Sequence, residues 1–245
     1  MFLKENERLD ILHNGNKIIQ DPEKFCFGID AVLLADMVDE KKNAKGLDLC
    51  TGNGIVPLLL EKKIPDAIIS GIEIQSECAQ MAQRSVELNG IQDKINIVEG
   101  DLKSASKIFE KNSFDFITCN PPYMINEHGK QNPNDYKAIA RHEVLCNLDD
   151  ILRESKLLLK TKASFYMIHR PFRLSEIFCT MVKYDIEPKV IQFVHPFEGT
   201  EPNLVLIKGV KNAASRLTVK KPLIVRNADG SYTEDIVKIY ENQSL

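Results

Sequence analysis

From Gly46 onward the chain alternates short apolar runs with helical stretches, and that alternation leaves few folds open. Residues 46–50, 67–73, 94–98, 113–119 and 163–169 are apolar runs of strand length. Residues 55–63, 76–89, 148–160 and 171–184 carry apolar side chains at helical spacing. Strands that alternate with helices in this way build a parallel, doubly wound α/β sheet with helices on both faces. Two late strands, 190–195 and 203–208, are joined by a Pro- and Gly-containing loop and are placed to pair antiparallel. Ahead of the alternation, residues 8–12 and 17–20 flank Asn14-Gly15 and predict a hairpin. Asp30 is placed to cap a helix over 31–37. The expected division is an N-terminal extension, 1–40, whose hairpin and helix pack on a cofactor site, and a main domain, 41–245. The tail beyond Ala213 is polar apart from one apolar stretch, 222–225.

Composition narrows the function classes. No apolar run approaches the ~20 residues of a membrane span, and the polar start of the chain does not read as a signal peptide. The six cysteines stand singly, with no Cys-x-x-Cys and no Cys/His cluster at metal-ligand spacing. They read as free thiols of a reducing, cytoplasmic compartment, and no metal is expected. A net charge of −3 argues against a strongly basic nucleic-acid binder. A local basic face remains open, because such a face acts within a Debye length of ~8 Å.

Chemistry concentrates at the strand ends. Thr51-Gly52-Asn53-Gly54 follows the first strand, where glycines allow close backbone approach to a ligand. The dinucleotide pattern G-x-G-x-x-G is broken by Pro57 in place of its third glycine, which points to an adenosine ligand other than NAD. Glu73 ends the second strand, about 20 residues on, where an acid accepts ribose hydroxyls. Asp101 follows the third, where it accepts from an adenine amino group or else caps the next segment. The fourth strand runs into Asn120-Pro121-Pro122-Tyr123. Two prolines stop the strand with a stiff bend. The Asn120 side-chain oxygen and the Pro121 carbonyl are acceptors for the two hydrogens of an NH2 group, and Tyr123 is a stacking surface for a base. The bland alternative is a rigid turn.

Asp48 with Thr-Gly-x-Gly, Glu73, Asp101 and Asn120-Pro-Pro-Tyr together resemble the class I, S-adenosylmethionine-dependent N-methyltransferases. The resemblance implies a mostly parallel seven-stranded sheet with an antiparallel last strand. It implies that Asp48, Thr51, Gly52 and Gly54 hold the methionine moiety of the cofactor, Glu73 its ribose, and Asp101 with Leu102 its adenine. It implies that Asn120, Pro121, Pro122 and Tyr123 hold the amine to be methylated, Asn120 also bordering the cofactor, with S-adenosylhomocysteine as the product. Residues 25–34, Phe-Cys-Phe-Gly-Ile-Asp-Ala-Val-Leu-Leu, resemble the family that methylates N6 of the adenine beside the anticodon in a valine tRNA. That resemblance runs over roughly residues 21–208 and adds Gly28 and Asp30 to the cofactor site. It makes tRNA the expected partner, with Arg141, His142 and Arg170 as its expected contacts. Alternatives are a release-factor glutamine, another adenine in RNA or DNA, and, outside enzymes, a protein that binds the cofactor and RNA without catalysis. The short segment before Asp48 and the lack of a spare recognition region weigh against glutamine and DNA. Oligomeric state is open.

Overall fold

The structure is a computed structural model of the 245-residue chain, and it describes residues 3–24, 26–123 and 146–242. Strands β1 (Arg8–Ile11) and β2 (Lys17–Gln20) form an antiparallel hairpin, followed by helix α1 (Ile29–Met37). Then come β3 (Lys45–Leu49), α2 (Ile55–Lys63), β4 (Ile68–Glu73), α3 (Ser76–Asn89), β5 (Ile95–Glu99), the short α4 (Ala105–Ile108) and β6 (Phe114–Cys119). The second half holds α5 (Leu148–Leu158), β7 (Leu159–His169), α6 (Leu174–Lys183), β8 (Ile186–Phe197), β9 (Leu204–Lys211), β10 (Thr218–Val219), β11 (Leu223–Arg226) and α7 (Glu234–Asn242).

The sheet runs β10-β8-β9-β7-β6-β3-β4-β5, with β11 also on β8. Its central strands pair in parallel, and β9 is antiparallel to both β7 and β8. The seven-stranded class I arrangement is therefore present, and the polar tail lengthens its edge by laying β10 and β11 along β8. The strand order runs outward in opposite directions from β3 and β6, which are parallel neighbours, and such a switch point is where open α/β sheets leave a crevice at the strands' carboxyl ends.

Local rules account for most boundaries. Helix α3 buries Cys78, Ala79, Met81, Ala82, Ser85 and Val86 on one face and ends at Gly90, whose φ of 65° closes the helix in the left-handed region. Helix α5 begins with a reciprocal capping box between Asn147 and Asp150. It stops at Leu158 rather than 160 because Leu159 already opens β7, with Lys162 at φ 67°. Asp30 does not cap α1. The cap position is Gly28, and Asp30 lies inside the first turn, accepting from the next amide, Ala31 N–H.

The hairpin docks against α2 and α3. Ile18 and Ile19 are fully buried, Ile19 N–H donates to Ser85 Oγ (2.9 Å), and Asn53 Nδ2 donates to the Ile19 carbonyl (3.2 Å). Arg84 grips Glu7 with two bonds of 2.6 Å. These contacts carry the chain to the start of α1 beside the carboxyl ends of β3 and β6. No helix among the described residues is long and apolar enough to cross a membrane.

Candidate active site

A cleft of about 1030 Å³, counting the solvent at its mouth, opens at the switch point between β3 and β6. Its walls include Phe27, Gly28 and Asp30 from the N-terminal segment, Asp48 near the end of β3 with Thr51 and Gly52 just after it, and Glu73 at the end of β4. Asp101 and Leu102 after β5 and Asn120, Pro121, Pro122 and Tyr123 after β6 complete it. Gly54 lies just behind the turn as the cap of α2. Arg170 reaches the site from the end of β7, with its guanidinium 5.1 Å from the centre of the Tyr123 ring. Arg141 and His142 lie outside the described residues, as does Phe25.

The glycine turn depends on backbone geometry. Gly52 and Gly54 have φ of 58° and 83°, and a Cβ on Gly54 would sit 3.0 Å from the Ala82 Cβ. Gly52 N–H donates to Glu73 Oε2 and Gln75 N–H to Glu73 Oε1, both at 2.9 Å. Each oxygen of Glu73 keeps a second lone pair for a ligand hydroxyl. Burial raises the Glu73 carboxyl above its ordinary value.

Asp48 is the least solvated acid of the cleft, at 1% exposure. It faces Thr118, its partner in the β3–β6 register, and Thr118 Oγ1 donates to Asp48 Oδ1 at 2.6 Å. Burial, reinforced by the charge of Glu73, pushes the Asp48 carboxyl up to about 7 despite that bond. Asp101 uses one oxygen to accept from Lys103 N–H (2.9 Å), capping the short turn that holds Leu102. The capping role weighed for it in the sequence is thus realised, and its carboxylate still borders the cleft. Gln75 also lines the cleft, and its buried Oε1 has no hydrogen-bond partner among the described residues.

Tyr123 is turned inward. Its hydroxyl lies 2.7 Å from Asp30 Oδ2 and 2.5 Å from Asn120 Oδ1. His169 meets its ring edge-on at 5.3 Å. Burial and the neighbouring Asp30 charge hold the phenol well above its ordinary value, so it stays protonated. A base stacking on Tyr123 meets Arg170 already lying over that ring. The Cys50 thiol in the cleft wall and the Cys119 thiol in the core behind it are also protonated: the Cys119 thiol and burial raise Cys50, and burial raises Cys119. Neither is poised as a thiolate nucleophile.

Sequence reasoning overlooked Thr118 and Gln75. Thr118 is legible only once β3 and β6 are known to be neighbours. Gln75, two residues past Glu73, carried no motif of its own.

The family model described as "Methyltransferase small domain" matches residues 17–168. The protein named "tRNA1(Val) (adenine(37)-N6)-methyltransferase" from Porphyromonas gingivalis strain W83 is 27% identical over 224 residues, covering 87% of this chain and 86% of its own. One with the same name from Aeromonas hydrophila is 24% identical over 213 residues, covering 86% and 87%. Among solved structures, a "predicted O-methyltransferase" from Agrobacterium tumefaciens superimposes with a TM-score of 0.71 at 23% identity, covering 88% of this chain and 96% of its own. Geranyl diphosphate C-methyltransferase from Streptomyces coelicolor, solved with S-adenosyl-L-homocysteine, gives 0.56 at 13% identity, covering 74% of each chain. At these identities the structural likeness speaks for the fold.

Proposed function

The chain belongs to the methyltransferase small domain family, and from that premise we propose that it transfers the methyl group of S-adenosylmethionine to N6 of an adenine in tRNA, close to the anticodon, in the cytoplasm. The observation that carries this reading is a shared cleft. The acids suited to an adenosine cofactor and the Asn120–Tyr123 bend suited to an exocyclic amine open onto the same space.

The residues present fit the cofactor. The left-handed Gly52 and Gly54 let the backbone of the turn approach a ligand, carboxylates at the carboxyl ends of three successive strands supply acceptors, and Gln75 brings an unspent buried oxygen. In this reading Asp48, Thr51, Gly52 and Gly54 hold the methionine part, Glu73 the ribose, and Asp101 with Leu102 the adenine. Gly28 and the segment around it close the cleft, so that residues 1–40 act as an extension completing the site of the 41–245 domain. When bound, the cofactor supplies a methyl group on a cationic sulfur, a leaving group that needs no further activation.

The chain's own task is to hold the amine. An aryl NH2 is a weak nucleophile because its lone pair is delocalised into the ring. Accepting its two hydrogens at Asn120 Oδ1 and the Pro121 carbonyl favours the pyramidal form and frees the lone pair. Fixing the nitrogen in that pose adds the proximity contribution. A strong general base is unnecessary, because the nitrogen becomes acidic as it gains positive charge. A stacked base must be turned out first, and single-stranded loops surrender their bases most easily.

The carboxyl edge of the sheet, beyond the cleft along β7 and β8, suits an RNA acceptor. Phe172 is 67% exposed just after Arg170, and Phe197 is 40% exposed at the carboxyl end of β8. Beside Phe197 in the register, Arg226 lies over Tyr232 at 4.8 Å. Exposed aromatics interleaved with arginines are stacking surfaces for unpaired bases. Other basic residues are engaged elsewhere: Lys183 pairs with Asp149, and Lys189 donates to the Ala214 carbonyl near the amino end of β8. The deciding experiment supplies radiolabelled methyl donor with total tRNA from cells lacking the protein. Label in tRNA, mapped to an adenine beside the anticodon, is expected. Label in release factor or DNA but not in tRNA would refute the assignment.

A further inference from the structure

Asp30, Tyr123 and Asn120 form a chain of polar groups whose proton count constrains it. A phenol carries one proton. Two oxygens, Asp30 Oδ2 at 2.7 Å and Asn120 Oδ1 at 2.5 Å, lie within bonding reach of Tyr123 Oη. Only one can accept at a time. The carboxylate is the stronger acceptor, because a charged partner roughly doubles the strength of a hydrogen bond. If Asp30 takes the proton, an oxygen of Asn120 pressed against the phenol oxygen is a repulsive contact. Rotating the amide by half a turn replaces that contact with an N–H donated to Tyr123 Oη. The same rotation directs the Asn120 carbonyl oxygen away from Tyr123, on the side left for the cleft.

The neighbourhood holds this chain in place. A Cβ at residue 28 would come within 2.8 Å of Asp30 Oδ1, so Gly28 leaves the room in which the Asp30 carboxyl sits. Asp30 Oδ1 is occupied by Ala31 N–H at 3.0 Å, which aims Oδ2 at Tyr123. His169 edge-on and Arg170 overhead confine the Tyr123 ring.

We propose that Asp30 is a positioning residue: by accepting the Tyr123 proton it obliges Asn120 to present its carbonyl oxygen, rather than its NH2, to the amine being methylated. This deepens the proposed function and rests on its assignment of Asn120 as an acceptor. It moves Asp30 from the cofactor's ligands to the amine's alignment.

Two measurements test it, and the first needs no activity. Neutron diffraction from crystals exchanged into D2O locates the deuterons. The expected result is one deuteron on Tyr123 Oη pointing to Asp30 and one on Asn120 Nδ2 pointing to Tyr123. A phenol deuteron pointing to Asn120 overturns the proposal, whatever the substrate proves to be. The second is a double-mutant cycle on methyl transfer, with Asp30→Asn, Tyr123→Phe and the pair. Asp30→Asn can donate to the phenol, which frees the phenol proton to bind Asn120 and turns its NH2 to the cleft. Its expected effect is a loss on the order of 10²-fold in kcat, with S-adenosylhomocysteine affinity by calorimetry within about twofold of wild type. In the Tyr123→Phe background, which has no phenol proton, the same substitution is expected to change kcat less than about threefold. Asp30→Glu, keeping the acceptor, is expected to recover part of the loss. Additive losses, or a tenfold weaker S-adenosylhomocysteine affinity with kcat retained, would make Asp30 a cofactor ligand and overturn the proposal. If the acceptor proves to be a glutamine side chain, the cycle is run on that amine. The tRNA reading then fails while the positioning role is still decided.

Discussion

Replacing Asp48 with asparagine should make the protein more stable, and by an amount that depends on pH. Asp48 is buried, and its carboxyl titrates at about 7 in the fold against 3.8 for an ordinary one. The native state therefore prefers the protonated form. Below pH ~4 both states are protonated and no penalty exists. Between pH ~4 and ~7 the unfolded chain gains by ionising while the folded one does not, and above ~7 the penalty is constant. Each tenfold in proton affinity is worth about 1.4 kcal/mol, which gives at most about 4 kcal/mol at pH 8.5 and about 1.5 kcal/mol at pH 5. Asparagine is uncharged, nearly the same size, and keeps an oxygen to accept from Thr118 Oγ1. Urea unfolding of both proteins at the two pH values measures the difference. With a slope of about 2.5 kcal/mol/M, the Asp48→Asn midpoint should lie about 1.5 M higher at pH 8.5 and about 0.5 M higher at pH 5. The same variant should lose cofactor binding, so stability and function move in opposite directions. A variant no more stable than wild type at pH 8.5, or a gap that is the same at both pH values, would refute the reasoning.

Three further outcomes follow from the geometry. Binding of the cationic methyl donor should strengthen as pH rises through about 7 and release protons near pH 6, because it favours ionised Asp48; calorimetry in buffers of different ionisation enthalpy reads this, and pH-independent affinity contradicts it. Gly46→Ala should cost about 3 kcal/mol, since its Cβ would sit 2.2 Å from the Phe116 ring, whereas Gly90→Ala, with open space at φ 65°, should cost only about 1 kcal/mol. Chemical denaturation ranks the two, and equal losses would contradict the packing argument. His169, which burial lowers to about 4 and whose Nδ1 accepts from Arg170 N–H at 2.8 Å, should remain neutral and protonated on Nε2 through pH 5. It contributes stability fully present above pH ~6.5 and lost as pH falls to about 4, roughly 3 kcal/mol in all. An imidazole NMR titration with its midpoint near 6.5 would contradict this.

What the sequence determined by itself was local and periodic. Residues 55–63 and 76–89 were legible as helices from their apolar spacing, because helical periodicity acts within a few residues. The acids and the Asn-Pro-Pro-Tyr bend were legible as strand-end groups on equally local grounds. The tail was harder. Helix α7 announces itself only by Ile236, Ile239 and Tyr240 on one face, and β10 is two residues long, so both rest on partners supplied by the rest of the fold.

Only tertiary structure decided how the site's groups are connected. Thr118 meets Asp48 because β3 and β6 are neighbours, and Asp30 meets Tyr123 across 93 residues of chain. The sequence placed Asp30 as a helix cap, which is its local potential. The fold gives that carboxylate a phenol proton instead, and Gly28 takes the cap. A hydrogen bond between distant residues depends on where the sheet brings them, and a buried carboxylate's proton affinity depends on the water excluded around it. Neither quantity is a property of a residue's neighbours in sequence, so the residue types could be read from the chain, while their pairing and protonation had to wait for the fold.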